Sequence, residues 1–495
     1  MRLGCVASTE QKPTYLSTLM TNLRQDAVEI WNAGVDAVRA AALIHREVTV
    51  ERELLMIGSH QWNRCDFDRI IVVGAGKAGT AMTTGLLESL CDWLPVTGWV
   101  NVPQGTEVTA PQGTEVTAPQ GTEVTNAEDG QPPNGLVRLH AARPAGVNEP
   151  TTQGVFGTEQ IIEMVSHAGP RDLCIALISG GGSALLPAPV SGVTLSDKLE
   201  VTRFLSAAGA DITELNTVRK HLSSIKGGGL LAACQAGEMI TLVLSDVLGD
   251  PLDLIASGPT VIDSSTSTQA LQTLQQYDPD RTLPDSVYET LDQQSHAEPD
   301  SVAGCPHTSI VIGNNALAVD EAGIVAEQRG YNHVMQSARQ CEGAAEDVGQ
   351  RLAEMTVHML RADPATHRND CLITGGEPTV KLAPVAIRGL GGRNQQLVLS
   401  AYRALLQCGL SNREWERLCL LSGGTDGEDG PTDAAGAILD AEVHQKASKQ
   451  ALNVDDFLQR NDAYRFFEQA GGLLKTGPTG TNVCDVRVVV IAPSP

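Results

Sequence analysis

Ile70-Ile71-Val72-Val73-Gly74-Ala75-Gly76-Lys77 is a short apolar run that breaks into a knot of glycines. The pattern returns as Ala176-Leu177-Ile178 before Ser179-Gly180-Gly181-Gly182-Ser183, Leu242-Val243-Leu244 before Ser245-Asp246, and Ile310-Val311-Ile312 before Gly313-Asn314-Asn315. It returns again as Leu372-Ile373 before Thr374-Gly375-Gly376-Glu377, and as Leu420-Leu421 before Ser422-Gly423-Gly424-Thr425-Asp426. A buried parallel strand reads as a continuous apolar run, and a glycine turn opening a helix after it leaves N–H groups aimed at one spot, where an anion is favoured. The fold class that follows is α/β, in two domains. Each is expected to be a mostly parallel sheet flanked by helices, the first Rossmann-like and doubly wound, with a phosphate-bearing ligand at the strand ends.

Outward from that first run, apolar residues at helical spacing (Leu23, Ala27, Ile30, Trp31, Val35, Val38) predict an opening amphipathic helix. Strand and helix signals then alternate to about Pro259. Residues 102–125 interrupt them with three tandem octapeptides, each carrying a Pro and a Gly. Eight residues are too few for a self-supporting repeat, so a duplicated surface loop is expected. Residues 262–306 are polar and read as a connecting segment. The predicted domains are thus residues 1–261 and 307–495.

At 495 residues the chain exceeds one hydrophobic core. Acidic residues outnumber basic ones, 59 to 35, for a formal charge of -24, which repels nucleic-acid phosphates. With 5 Trp, 6 Tyr and 6 Phe there are too few rings for rows of stacking platforms, and a small polar ligand fits better. The 11 cysteines are scattered singly, so neither a zinc site nor a disulfide framework is indicated, and a reducing cytoplasm is expected. No apolar stretch reads as a signal peptide or membrane span, so no membrane partner is expected. Oligomeric state is left open, a homo-oligomer included.

Gly74-Ala75-Gly76-Lys77-Ala78-Gly79 has the G-x-G-x-x-G spacing, but the acidic residue that would hold a ribose about 20 positions on is missing, which counts against NAD. Lys77 at the helix start is instead placed to reach a transferring phosphate; the bland alternative is a solvated lysine. Gly76 and the run Ser179, Gly180, Gly181, Gly182 and Ser183 are candidate cradles for phosphate or carboxylate. Arg219 and Lys226 put basic groups beside another glycine turn, though a basic helix face is often merely solvated. Asp246 and Asp250 follow a strand, where carboxylates hold Mg²⁺ or accept a hydroxyl proton; Asp250 before Pro251 also suits a helix cap. Arg393, in Gly391-Gly392-Arg393-Asn394-Gln395, offers a fork matching phosphate oxygens. The acidic turn from Thr425 to Asp433 does not fit an EF-hand, yet a Mg²⁺ or ribose role is open to it.

Taken in order, Gly76-Lys77-Ala78, Ser179 to Leu185, Leu215 to Ser223, Lys226 to Leu230, Leu244 to Pro251, Ala256 to Thr260, Gly375 to Val380, Gly391 to Gln395 and Ser422 to Thr432 resemble the glycerate kinase family, whose carboxyl-terminal region is called the MOFRL domain (here residues 370–488). The resemblance covers residues from about 23 to 488. It implies ATP- and Mg²⁺-dependent phosphoryl transfer to a hydroxyl of D-glycerate, 2-phosphoglycerate being the favoured product, with the active site between the domains. It also implies active-site roles for Lys77 and Arg393. The nucleotide is expected on Gly375, Gly376, Glu377, Asn394, Gly424, Thr425 and Asp426. Gln396 stands where many members carry Glu. A His-Pro and Pro-Asp segment is altered to Arg143-Pro144 and Glu149-Pro150, and no ligand role is assigned to that stretch. The rival readings are an NAD(P)-linked hydroxypyruvate reductase and a catalytically silent nucleotide- or phosphate-binding module.

Overall fold

A computed structural model of the chain describes residues 22–106, 114–117, 137–144, 147, 149–296, 304–363 and 369–493. The strands, in chain order, are β1 (Val48–Glu51), β2 (Leu54–Ile57), β3 (His60–Asn63), β4 (Arg69–Ala75), β5 (Val96–Pro103), β6 (Thr114–Thr117), β7 (Val137–Arg143), β8 (Asp172–Ser179), β9 (Glu238–Leu244) and β10 (His307–Gly313). They continue as β11 (His333–Ser337), β12 (Cys371–Gly376), β13 (Leu418–Gly424), β14 (Gly436–Asp440), β15 (Leu473–Leu474) and β16 (Asp485–Ile491).

The first large sheet has the order β10-β9-β8-β4-β5-β7-β6, and every pairing in it is parallel. The chain leaves β4 toward β5 and β7, then crosses back to lay β8 on the other side of β4. That reversal is a topological switch point, where loops diverge and leave a crevice. The apolar runs of β4 and β8 are buried on both faces because helices Gly79–Leu90 and Thr152–Ser166 cover them.

The second large sheet, β11-β12-β16-β13-β14-β15, corrects the expectation of a mostly parallel arrangement. Only β11 and β12 run parallel; β12, β16, β13, β14 and β15 pair antiparallel. The reason is β16, whose continuous Val-rich run enters from the carboxyl terminus and inserts between β12 and β13. An apolar run reports burial on both faces and is silent on direction.

Three boundary expectations also change. Strand β10 lies beyond the polar segment yet pairs with β9 in the first sheet. Helix Leu23–Ala37 falls within the predicted first domain but packs on β13, β16 and helix Asn315–Gln328 of the second. Trp31, fully buried, donates to the Gly423 carbonyl at 3.3 Å, and its burial is worth roughly 1.5–3 kcal/mol. Residues 262–306 hold more than a connector: helices Ser267–Tyr277 and Asp285–His296 pack with Leu195–Ala208 and Ile212–His221 around Leu205, Val218, Leu274 and Leu291. Their polar faces dominate the composition and hide the narrow apolar stripe. Of the octapeptide stretch, residues 107–113 and 118–125 lie outside the described residues, while β6 pairs parallel with β7 as an edge strand and not as a loop.

Candidate active site

Lys77 stands at the switch point, just past the end of β4. Gly76 has φ +151°, and a Cβ there would lie 1.9 Å from Ser179 Oγ, so only glycine lets the β4 and β8 loops touch. The Lys77 amide donates to the Gly180 carbonyl (2.8 Å) and the Ala78 amide to Ser179 Oγ (3.1 Å). These two donors, expected to face an anion, are used to join the loops. What the loop offers the crevice is the Lys77 side chain, whose Nζ lies 2.8 Å from Asp426 Oδ2 and 3.5 Å from Glu428 Oε2 of the second domain. Burial disfavours its ammonium, but the charge and hydrogen bond of Asp426 and the charge of Glu428 outweigh that and hold its pKa above the ordinary lysine value.

Arg143, at the end of β7, is the cation that the sequence reading passed over. A Cβ on Gly181 would stand 3.3 Å from its Nη2 and 3.4 Å from Lys77 Cγ, so the two cations flank one turn. The guanidinium is buried and donates to the Val147 carbonyl; its Nε has no hydrogen-bond partner among the described residues. Burial lowers its pKa, and the charge of Glu428 offsets this in part. An altered dipeptide gave no signal, but its place at the end of a parallel strand is where ligands bind.

Asp246, past the end of β9, is half-buried and accepts from the Gly181 amide. Burial and then the charge of Glu377 push its pKa up to about 6, against the pull of backbone donors and of Lys77. A Cβ on Gly180 would lie 2.5 Å from Asp246 Oδ2 and 2.6 Å from Asn482 Nδ2, so this close approach across the crevice also requires glycine. Asp250 does not join Asp246: its Oδ2 accepts from Asn314 Nδ2 at 2.6 Å, past the end of β10. The expected metal pair is therefore replaced by a different neighbour, Glu377, whose own pKa is raised first by burial.

Arg393 opens helix Arg393–Gln407. Its Nε and Nη2 grip Asp485 at 2.8 and 3.0 Å, and Nη1 reaches Glu377 Oε1 at 2.7 Å. Burial works against the charge, but Asp485 and Glu377 more than restore it. Lys77 and Arg393 thus reach one crevice, joined through Asp246 and Glu377, and each is clasped by carboxylates of the second domain.

Most other second-domain residues expected at the nucleotide are engaged elsewhere. Asn394 is tied to Asp429 and Ser422, and Asp429 caps the helix by accepting from the Asn394 and Gln395 amides (3.0 and 2.8 Å), which closes the helix start where a nucleotide contact was expected. Thr425 bonds the Cys484 carbonyl and the Val483 amide, and the Gly424 amide bonds the Ala435 carbonyl. Gly375 packs on Asn315 and Gly376 on Glu342. Glu377 and Asp426 alone of that set present side chains to Arg393 and Lys77. In the first domain, Gly182 starts a short helix, and Ser183 bonds Lys226, with Arg219 nearby. Sequence reading also missed Asn482 and Asp485, which lie before and at the start of β16, where no glycine knot follows a strand.

A family model described as a domain of unknown function (DUF4147) matches residues 26–292, and the MOFRL family model matches residues 370–485. The glycerate kinase of Danio rerio is 34% identical over 96% of this chain and 99% of its own length. The chain belongs to the glycerate kinase family. The Homo sapiens glycerate kinase is also 34% identical, over 95% of this chain and 94% of its own. A D-glycerate 2-kinase from Thermotoga maritima is 38% identical over 70% of the chain and 79% of its length. A crystal structure of the Thermotoga maritima glycerate kinase superposes with a TM-score of 0.73 at 32% identity, over 95% of this chain and 99% of that one. Within this glycerate kinase family member the crevice lies where the DUF4147 and MOFRL segments meet, Lys77 coming from one and Asp426 from the other.

Proposed function

We propose that the chain transfers phosphate from ATP to D-glycerate with Mg²⁺, giving 2-phosphoglycerate. The observation that carries the reading is the meeting of Lys77 and Arg143 with the half-buried Asp246 around the switch point. The relative named D-glycerate 2-kinase supports the position of attack. Phosphoryl transfer asks little covalent work of a protein; positioning and charge neutralisation supply most of the acceleration.

Lys77 and Arg143 neutralise the migrating phosphoryl group, and Arg393 orients the acceptor from the second domain. Asp246 accepts the acceptor's hydroxyl proton. Its pKa of about 6 leaves it ionised at neutral pH yet basic enough for the task. Asp485, holding Arg393 in two bonds, fixes the direction of that fork. Glycine at 180 lets Asn482 and Asp246 close over the reacting atoms and exclude water.

Among the described residues no three metal-binding side chains converge. Asp426 and Glu428 do place carboxylate oxygens on a single cation, the Lys77 ammonium, which stands in for one. Mg²⁺ takes one or two carboxylates and fills its sphere with phosphate oxygens and water, so this pair fits it. Bound there it would neutralise the nucleotide's phosphate oxygens. No described helix is long and apolar enough to cross a membrane. Cytoplasmic residence belongs to the same reading, supported by the ten described cysteines, all free thiols.

One incubation tests the reading: ATP, Mg²⁺ and D-glycerate, followed by phosphorus NMR. Phosphate on carbon 2 gives a doublet from its single neighbouring hydrogen, and phosphate on carbon 3 gives a triplet. A triplet would overturn the position, and no phosphate ester at all would overturn the activity. Oxidation of NADH on adding hydroxypyruvate would replace it with a reductase.

A further inference from the structure

Beside the Lys77 loop, three cations of the first domain crowd together without an acid to balance them. Lys198 rides on helix Leu195–Ala208, started by a Thr194–Asp197 capping box, and Arg219 on helix Ile212–His221, started by an Asp211–Glu214 box. Lys226 lies in the turn that follows. The Lys198 ammonium donates to the Leu222 carbonyl at 2.8 Å, and Arg219 Nη1 to Asn216 Oδ1 at 3.2 Å. Lys226, buried, donates to Ser183 Oγ at 2.9 Å, the Ser183 carbonyl at 3.1 Å and Ser257 Oγ at 3.4 Å. Every one of these acceptors is neutral.

The neighbouring Lys220 shows what a balanced cation looks like here: Asp263 lies 3.2 Å and Asp253 3.6 Å from its ammonium. Among the described residues no carboxylate stands at that range from Lys198, Arg219 or Lys226. Burial, and then repulsion from one another, lowers the pKa of Lys198 and of Lys226, while burial alone lowers that of Arg219. Lys226 is buried and Lys198 and Arg219 are half-buried, and like charges crowded there without a counter-ion carry a cost that an anionic ligand relieves. Two further signs mark the spot. Ser257, whose hydroxyl lies 2.6 Å from that of Ser183, is held at φ +62°, a strained conformation of the kind that clusters at ligand sites. Ser183 also belongs to the loop whose Gly180 and Gly181 touch Lys77, Arg143 and Asp246, so the cations adjoin the transfer site.

We propose that Lys198, Arg219 and Lys226, with the Ser183 and Ser257 hydroxyls, bind the non-transferring phosphates of the nucleotide, so that the first domain holds the donor's phosphate chain. Three cations suit a diphosphate better than the single carboxylate of glycerate. The sealed helix start at Asp429 removes the second domain's competing anion site. This inference rests on the kinase reading, and its test is read separately from turnover.

ADP and D-glycerate are titrated separately, by calorimetry, into the full-length protein and its Lys198→Gln and Arg219→Gln variants, with inorganic tripolyphosphate as a competitor of ADP. Losing one charge-assisted contact weakens ADP about tenfold or more, with D-glycerate binding unchanged and tripolyphosphate displacing ADP from the wild type. Lys226→Met, relieved of an unpaired charge, melts at a higher temperature than the wild type without ligand and binds ADP more weakly, which separates a binding role from a structural one. Weakened D-glycerate binding with ADP unaffected would give the site to the acceptor and overturn the proposal. Unchanged binding of both, or no binding of ADP to the wild type, would also overturn it. Weakened ADP binding in a protein that makes no phosphoglycerate would uphold the site while the kinase reading fails.

Discussion

Lys77 Nζ, from the loop after β4, lies 2.8 Å from Asp426 Oδ2, from the turn after β13, and so one ion pair spans the crevice between the two domains. The pair sits where the migrating phosphoryl group is proposed to pass, and Lys77 must exchange a carboxylate for phosphate oxygens as substrates arrive. Lys77→Ala is expected to fold and to lose about 10²–10³-fold in kcat, the scale for removing one preorganised charge from a transition state. Steady-state kinetics beside a melting curve checks it; near-full turnover would remove Lys77 from the chemistry.

Asp426→Asn leaves Lys77 its weaker partner, Glu428 at 3.5 Å. If the two carboxylates receive Mg²⁺, the variant needs about tenfold more of the ion for half-maximal rate, with the KM for glycerate little changed. A Mg²⁺ titration at fixed ATP is the measurement. A rise in the glycerate KM alone would place Asp426 at the acceptor.

The pKa of Asp246, about 6, has consequences of fixed sign. Lying above the ordinary carboxyl value, it means that the folded protein holds this proton more tightly than the unfolded chain. The ionised form therefore costs stability, and that cost grows as pH rises from about 4 through about 6. Asp246→Asn should melt higher than the wild type at pH 8 and about equally at pH 4. In the wild type, kcat/KM should rise with pH along a limb near 6 that the variant lacks. Glu377→Gln, removing a repelling charge, should move that limb to lower pH.

Gly180→Ala tests the close approach directly. The added methyl would meet Asp246 Oδ2 at 2.5 Å and Asn482 Nδ2 at 2.6 Å, so one side of the crevice must retreat. Misplacement on this scale costs about 10²-fold in kcat/KM, while the sheet beneath is untouched. A variant with a normal melting point and normal activity would mean that the crevice does not close over the substrate.

Asp429→Ala removes the side chain that satisfies the first amides of helix Arg393–Gln407. Loss of such a cap costs about 1–2 kcal/mol, which lowers Tm by a few degrees. Calorimetry would show it.

The first sheet was legible because its strands are buried on both faces and read as apolar runs, and because β4 and β8 end in glycines forced by mutual contact at Gly76 and Ser179. That Lys77, Asp246 and Arg393 reach one crevice was legible for the same reason: each lies at the end of a run or in a glycine loop. Direction of pairing was not legible, since β16 looks alike in either sense. Nor was the fate of a loop's amides. The glycine turn at Lys77 suggested an anion site and Asn394 a nucleotide contact, and both are closed by partners distant in sequence, Gly180 and Asp429. Arg143 and Asp485 owe their place at the crevice to where the fold carries them, which no local spacing encodes.

The path of the polypeptide constrains how this molecule can be dissected. Helix Leu23–Ala37 lodges Trp31 under Gly423, and β10 lines the border of the first sheet, so the backbone starts on the second lobe, builds the first through β10 and then crosses back. A fragment beginning after residue 306 would carry away β10, leaving β9 as an unprotected edge, and would lack the indole that fills its own floor. Neither half is a module that can be lifted out intact. Separating the lobes would break the Trp31 contact under Gly423 as well as the Lys77–Asp426 ion pair.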